Sequence, residues 1–204
     1  MRNLWLACAC VLVGCGSGKP GSDGGGSARD MVMAPPPGAA MVSGIIGGKP
    51  VTLTAAFSGT FPTTTGQQGV LILSNRTDTC SQISAGHVEK DLQLLLFTPA
   101  LEYLIGATTA PTPGTYPVIT TNDGGASANM AAGEVGFIGT DANCNSTQHD
   151  LAVGGSLRLS SVAKDAFVGS FDVKLLSGAQ LTGSFNASAC SGLGNFGGTM
   201  SGCF

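Results

Sequence analysis

An all-β domain, an antiparallel up-and-down meander forming a sandwich or barrel of about nine strands with at most one short helix, is the fold this sequence predicts. Short runs rich in Val, Leu, Ile, Phe and Thr recur between clusters of Gly, Pro, Asn and Asp, the pattern of strands joined by tight turns. One strand-plus-turn unit repeats at a fixed interval in the C-terminal third. The composition, 43% apolar and 10% charged with 32 Gly in 204 residues, suits one core and leaves no room for two large domains.

The expected strands are 42–46, 51–57, 69–74, 92–97, 115–119, 133–139, 154–161, 166–176 and 179–187. Gly47-Gly48-Lys49-Pro50 separates the first two as a hairpin turn does. Residues 80–90, CSQISAGHVEK, are the one candidate for a short helix, with Ser81 or Ser84 as cap. The repeat consists of Gly155-Ser-Leu-Arg-Leu, Gly169-Ser-Phe-Asp-Val and Gly183-Ser-Phe-Asn-Ala, spaced by 14 residues. Alternation puts Leu157, Leu159, Phe171, Val173, Phe185 and Ala187 on a core face and Arg158, Asp172 and Asn186 on a wet face. A glycine at the head of each unit permits a bulge or a close backbone approach where the sheet coils.

Residues 1–15, MRNLWLACACVLVGC, have one positive charge at Arg2, an apolar run from Leu4 to Val13, a small residue and a cysteine. The run is about half the roughly 20 residues a membrane-spanning helix needs, so it reads as an export signal. Leu12-Val13-Gly14-Cys15 resembles the lipobox of bacterial lipoproteins. That resemblance implies cleavage before Cys15, acylation of Cys15, and, with Gly16 and Ser17 following and no Asp, transfer to the outer membrane. Several acyl chains together give stable attachment where one is marginal. Removing residues 1–14 takes Arg2 from the nine basic side chains against twelve acidic ones and moves the formal charge from −3 to −4. The following stretch to residue 40, rich in Gly, Ser and Pro, is expected to be a flexible tether with a reach of roughly 25–30 Å. The domain is expected to run from Met41 to Phe204.

Of seven cysteines, Cys8 and Cys10 leave with the signal and Cys15 takes lipid, leaving Cys80, Cys144, Cys190 and Cys203. An even set outside the cytoplasm predicts two disulfides, with three pairings open. Closing the short, glycine-rich loop between Cys190 and Cys203, worth roughly 3 kcal/mol in chain entropy, favours that pair and leaves Cys80 with Cys144. The thiolate pairs of a zinc site do not occur.

The motifs for chemistry are sparse, and none calls for a cofactor or a metal. His149 and Asp150 are sequence neighbours that point apart on a strand; the other histidine is His87, and the three glutamates, Glu89, Glu102 and Glu134, form no pair. Neither a GxSxG elbow nor any other catalytic residue set is present. Gly192-Leu-Gly194-Asn-Phe-Gly197 matches GxGxxG, but seven residues follow it, too few for the helix and strand a dinucleotide site needs. Asp141-x-Asn143-x-Asn145 opens like a calcium loop, yet Ser146 and Ala152 stand where Gly and Glu are needed, so an Asx-rich turn is expected. The nine Lys and Arg are scattered, which excludes a nucleic-acid footprint.

These features predict a non-enzymatic binding or structural domain, held at the membrane through Cys15. A sugar-binding role is weakened because only Tyr103 and Tyr116 remain as Tyr or Trp once Trp5 is removed. A lipocalin-like carrier of a small apolar ligand is the alternative, with 92–105 (LQLLLFTPALEYLI) as lining; packed core is the preferred reading of those leucines. An envelope hydrolase built on His149 is third. The V-S-G hairpin at 42–57, the cysteine closing VLILSNRTDTC, the GTY segment at 114–116 and the GSF strands are together similar to uncharacterised secreted β-rich bacterial lipoproteins, a resemblance that implies no activity.

Overall fold

The computed structural model describes residues 34–87, 89–101, 109–119 and 130–195. In chain order the elements are β1 (Ala39–Ser43), β2 (Ile45–Ile46), β3 (Lys49–Pro50), β4 (Ala55–Thr63), β5 (Gly66–Ser74), α1 (Thr79–Ala85), β6 (Gln93–Phe97) and β7 (Ala100–Leu101). There follow β8 (Gly114–Pro117), β9 (Met130–Ala131), β10 (Val135–Thr140), β11 (Ser146–Ala163), β12 (Ala166–Leu175), β13 (Gln180–Asn186), β14 (Ser188–Ala189) and a 3-10 turn, Ser191–Asn195. The fold is all-β with one short α-helix, as expected.

The main sheet runs β1-β13-β12-β11-β10-β6-β5-β4 through antiparallel pairs. It closes where Ala39 of β1 pairs with Ala55 of β4. Two flanking bonds carry the seam on, Ala40 N–H to Thr54 O (2.9 Å) and Ala56 N–H to Gly38 O (2.9 Å). Eight strands thus make a closed up-and-down barrel, which decides between the two expected architectures. Eight is also the number at which side chains alone can fill the interior. They do so here: Leu71, Leu73, Leu95, Phe97, Tyr116, Phe137, Leu157, Phe167, Val173 and Phe185 are at most 1% exposed within one contiguous cluster. The Phe97 and Phe171 rings meet inside at 5.3 Å between centroids.

The repeat occupies β11, β12 and β13, with its predicted core residues buried. Its glycines are explained by the register: Gly169 lies opposite Phe185, and Gly183 opposite Phe171. A Cβ on Gly169 would lie 2.0 Å from Arg158 O and 2.9 Å from the Phe185 ring, and one on Gly183 would lie 2.9 Å from the Phe171 ring. Each phenylalanine therefore packs on the bare backbone of the neighbouring strand.

β4, β5 and β6 are apolar on both faces. Ala56, Leu71, Leu73, Leu95 and Phe97 face the interior. Ala55, Phe57, Val70, Ile72 and Leu94 face outward into a second cluster, completed by Ile83 of α1 and by Cys190 and Leu193. Continuous runs such as VLIL and LLLF belong to strands buried on both sides, and the outer layer of α1 and the 3-10 turn supplies the second burial.

Several boundaries shift. The expected strand 42–46 is divided at Gly44 into β1 and β2, and β2–β3 form a tight hairpin over Gly47 and Gly48, whose φ values of 56° and 78° suit a type I′ turn. β4 continues to Thr63 and pairs through Pro62↔Gln67, well past the expected end at 57. β11 begins at Ser146, eight residues before the expected start at Gly154. The ordered fold also starts before Met41: Asn186 Nδ2 donates to Pro35 O at 3.0 Å, Gly38 N–H donates to Asn186 O at 2.7 Å, and Ala39 and Ala40 are already in β1.

Candidate functional site

The most densely connected polar group of the described residues sits where β5 leads into α1 and α1 into β6. Ser74 ends β5, Thr79 opens α1, and Glu89 lies on the way to β6; the first two are 0% exposed and Glu89 is 2% exposed. Thr79 Oγ1 lies 2.9 Å from Glu89 Oε2 and 2.8 Å from Ser74 Oγ, while Arg76 N–H donates to Ser74 Oγ at 3.1 Å. With Glu89 ionised, these donors align in one direction: Arg76 N–H to Ser74, Ser74 to Thr79, and Thr79 to the carboxylate. With Glu89 protonated, the carboxyl can donate to Thr79, whose hydroxyl then turns to Arg76 O at 3.1 Å. Arg76 Nε stands 3.0 Å from Glu89 Oε1 and 3.6 Å from Asp78 Oδ1, the guanidinium lying between the buried carboxyl and solvent.

Burial pushes the Glu89 carboxyl above its ordinary value and Asp78 beside it pushes the same way, against the Thr79 hydrogen bond and the Arg76 charge. Asp78 lies below its ordinary value: burial alone would raise it, but its own backbone amide, hydrogen bonds with Glu89 and Gln82, and Arg76 outweigh that. The Glu89 backbone joins in, its O accepting from Thr140 Oγ1 (2.7 Å), which in turn accepts from Leu92 N–H (3.0 Å). The arrangement ties together the end of β5, the start of α1 and the end of β10. Its hydroxyls are sealed from solvent, so its chemistry is that of a structural clamp.

α1 is capped at Asp78, whose side chain makes no cap hydrogen bond, and neither expected serine serves. Ser81 Oγ donates to Asp78 O at 2.7 Å and Ser84 Oγ to Cys80 O at 2.7 Å, both back into the helix. The helix ends on left-handed Gly86.

The expected pairs Cys190–Cys203 and Cys80–Cys144 are corrected: the structure bonds Cys80 to Cys190, Cα atoms 5.9 Å apart and 110 residues apart in sequence. The cause is the sheet. After β13 the chain turns onto the outer face and β14 pairs parallel with β4, so Cys190 N–H donates to Ser58 O at 2.8 Å. That places Cys190 under α1, which carries Cys80. Cys144 is also disulfide-bonded. Cys203 and the lipidation candidate Cys15 lie outside the described residues, as do Glu102, Tyr103 and Gly197.

His149 is exposed, while Asp150 is 8% exposed and accepts from Ser177 N–H at 3.2 Å; the two point to opposite faces. His87 Nδ1 lies 3.3 Å from Gln82 Oε1. Asp141 closes a turn, its carboxylate accepting from Asn143 N–H (2.8 Å), Asn145 N–H (2.9 Å) and Asn145 Nδ2 (3.2 Å). The Asn145 backbone bond first, and these other donors, hold it below its ordinary pKa. Among the described residues no group of three His, Cys, Asp or Glu is placed to hold a metal ion. In the GxGxxG match, Gly192 packs against α1, where a Cβ would lie 1.7 Å from Ser84 Oγ. Tyr116 is fully buried, its hydroxyl donating to Thr112 O at 2.5 Å and accepting from Thr112 N–H at 2.7 Å, so it offers no ring to a sugar.

No family model, curated protein or solved structure matches this chain. The site therefore rests on its own geometry. The Arg76–Asp78–Glu89 cluster escaped the sequence because its members meet only through the crossing of α1; the one trace was a run of Asn, Arg, Thr and Asp, NRTDT, directly after a strand.

Proposed function

We propose that the chain is a lipid-anchored protein of the cell envelope, its sorting signal favouring the outer membrane, and that its barrel is a non-enzymatic binding or structural domain that works through its outer surface. The observation that carries the second half is the filled interior: the aromatic side chains of Phe97, Tyr116, Phe137, Phe167, Phe171 and Phe185 pack where a carrier would hold its ligand. The signal-like segment ending at Cys15 supports the first half. Among the described residues no helix is long and apolar enough to cross a membrane, so the acyl group is the attachment this reading needs.

The closed eight-strand barrel favours a second reading, a carrier of a small apolar ligand. The two are separated by titrating an environment-sensitive apolar dye into the purified domain. Absence of saturable binding is expected; one-to-one saturation, abolished by enlarging a lumen residue such as Ala56 to Phe, would replace the first reading with the second. Cys15→Ser, followed by membrane fractionation, tests the anchor: the variant is expected in the soluble fraction, and retention in the membrane pellet would overturn it.

A further inference from the structure

We infer that Cys144 is bonded to Cys203, so that the C-terminal segment is stapled at both ends across the α1–β6 connection. Cys144 is in a disulfide, and Cys80 and Cys190 are bonded to each other. The cysteines left are Cys8, Cys10, Cys15 and Cys203. The inference rests on the anchoring reading, in which the first two leave with the signal and the third carries lipid; Cys203 is then the partner that remains.

The fold puts that partner within reach. On one side, Gly192 packs directly on Ser84 near the C-terminal end of α1. On the other, Asp91 N–H and Cys144 N–H both donate to Asp141 O, at 3.1 and 3.0 Å. The chain from Ala85 to Asp91 thus leads from the 3-10 turn to the turn bearing Cys144, and its six residues span at most about 22 Å. The eight residues from Phe196 to Cys203 reach about 26 Å when extended. The segment they form runs alongside the connection that contains Glu89.

The bond forms by thiol–disulfide exchange with a disulfide-bearing oxidant of the envelope. Cys144 and Cys203 give up two protons and two electrons as their S–S bond forms, and the donor disulfide breaks to two thiols that take them up.

The test is peptide mapping of the full-length exported protein, with free thiols alkylated on extraction and no reductant. The protease must cut between Cys190 and Cys203, after Leu193 or Phe196. The expected result is a cross-linked species joining the Cys144 and Cys203 peptides, with no alkylated cysteine. Alkylated Cys144 beside an acylated Cys15 overturns the bond and leaves the anchor standing. Cys144 linked to Cys8, Cys10 or Cys15 overturns both. Cys203→Ser is expected to expose one reactive thiol, at Cys144, with the Cys80–Cys190 link retained; two mutually bonded remaining cysteines other than that pair would refute the assignment.

Discussion

Replacing Cys80 and Cys190 together by alanine removes a link across 110 residues of sequence. In the chain-entropy account, opening a loop of that length restores freedom to the unfolded chain worth about 5 kcal/mol. Domains of this size are stable by about 5–15 kcal/mol, so a third or more of the total is at stake. A second loss adds to it, because the link holds α1 and the 3-10 turn over Phe57, Val70, Ile72 and Leu94, and each such side chain returned to water costs about 1.5–3 kcal/mol. If the cover only loosens, the loss stays near the entropic figure; if it detaches, unfolding begins there. Equilibrium urea unfolding followed by far-UV circular dichroism checks this, since the mature chain carries no Trp after residue 5. A drop of about 3–5 kcal/mol in the free energy of unfolding is expected. A loss below about 1 kcal/mol, with an unchanged slope against urea, would refute the reasoning that this link constrains both the unfolded chain and the outer layer.

Glu89→Gln keeps an acceptor for Thr79 and removes a buried titration; because burial raises Glu89, the folded chain holds its proton where the unfolded chain, near 4.5, has released it. The stability of wild type relative to the variant is therefore greatest below pH 4.5 and declines as pH rises through the window above it; a difference independent of pH between 4 and 7 contradicts this. Gly169→Ala puts a methyl group against Arg158 O and the Phe185 ring and is expected to cost about 1–3 kcal/mol, whereas a neutral result in thermal unfolding would mean the strands are not held that closely. Phe97→Ala removes one ring of the Phe97–Phe171 contact and is expected to cost about 3–5 kcal/mol and to open a dry lumen that binds an apolar dye; unchanged stability would show that the interior is not packed.

The strands of the repeat were legible because Leu157, Leu159, Phe171, Val173 and Phe185 alternate with polar residues along strands wet on one side. The first half of β11 was not, since Ser146 to His149 are polar and partly or fully exposed, and Asp150 is turned inward to meet Ser177. In β5 and β6 the continuous apolar runs identified strands but hid their two-sided burial, which depends on α1 lying across them. Cysteine pairing failed for a related reason. Loop length favoured Cys190 with Cys203, while the partner of Cys190 was set by β14 joining β4, a non-local pairing of two residues. The clamp around Glu89 was equally invisible: Ser74, Thr79 and Glu89 meet only once β5, α1 and β6 are folded against one another, and no spacing along the chain encodes that.

The envelope anchor is the claim on which localisation, oxidation and the remaining cysteine count depend. Intact and fragment mass spectrometry of protein extracted from the membrane tests it most directly. The predicted result is an N-terminal fragment that begins at Cys15 and carries diacylglyceryl and N-acyl mass; an unacylated fragment beginning at any other residue contradicts the account.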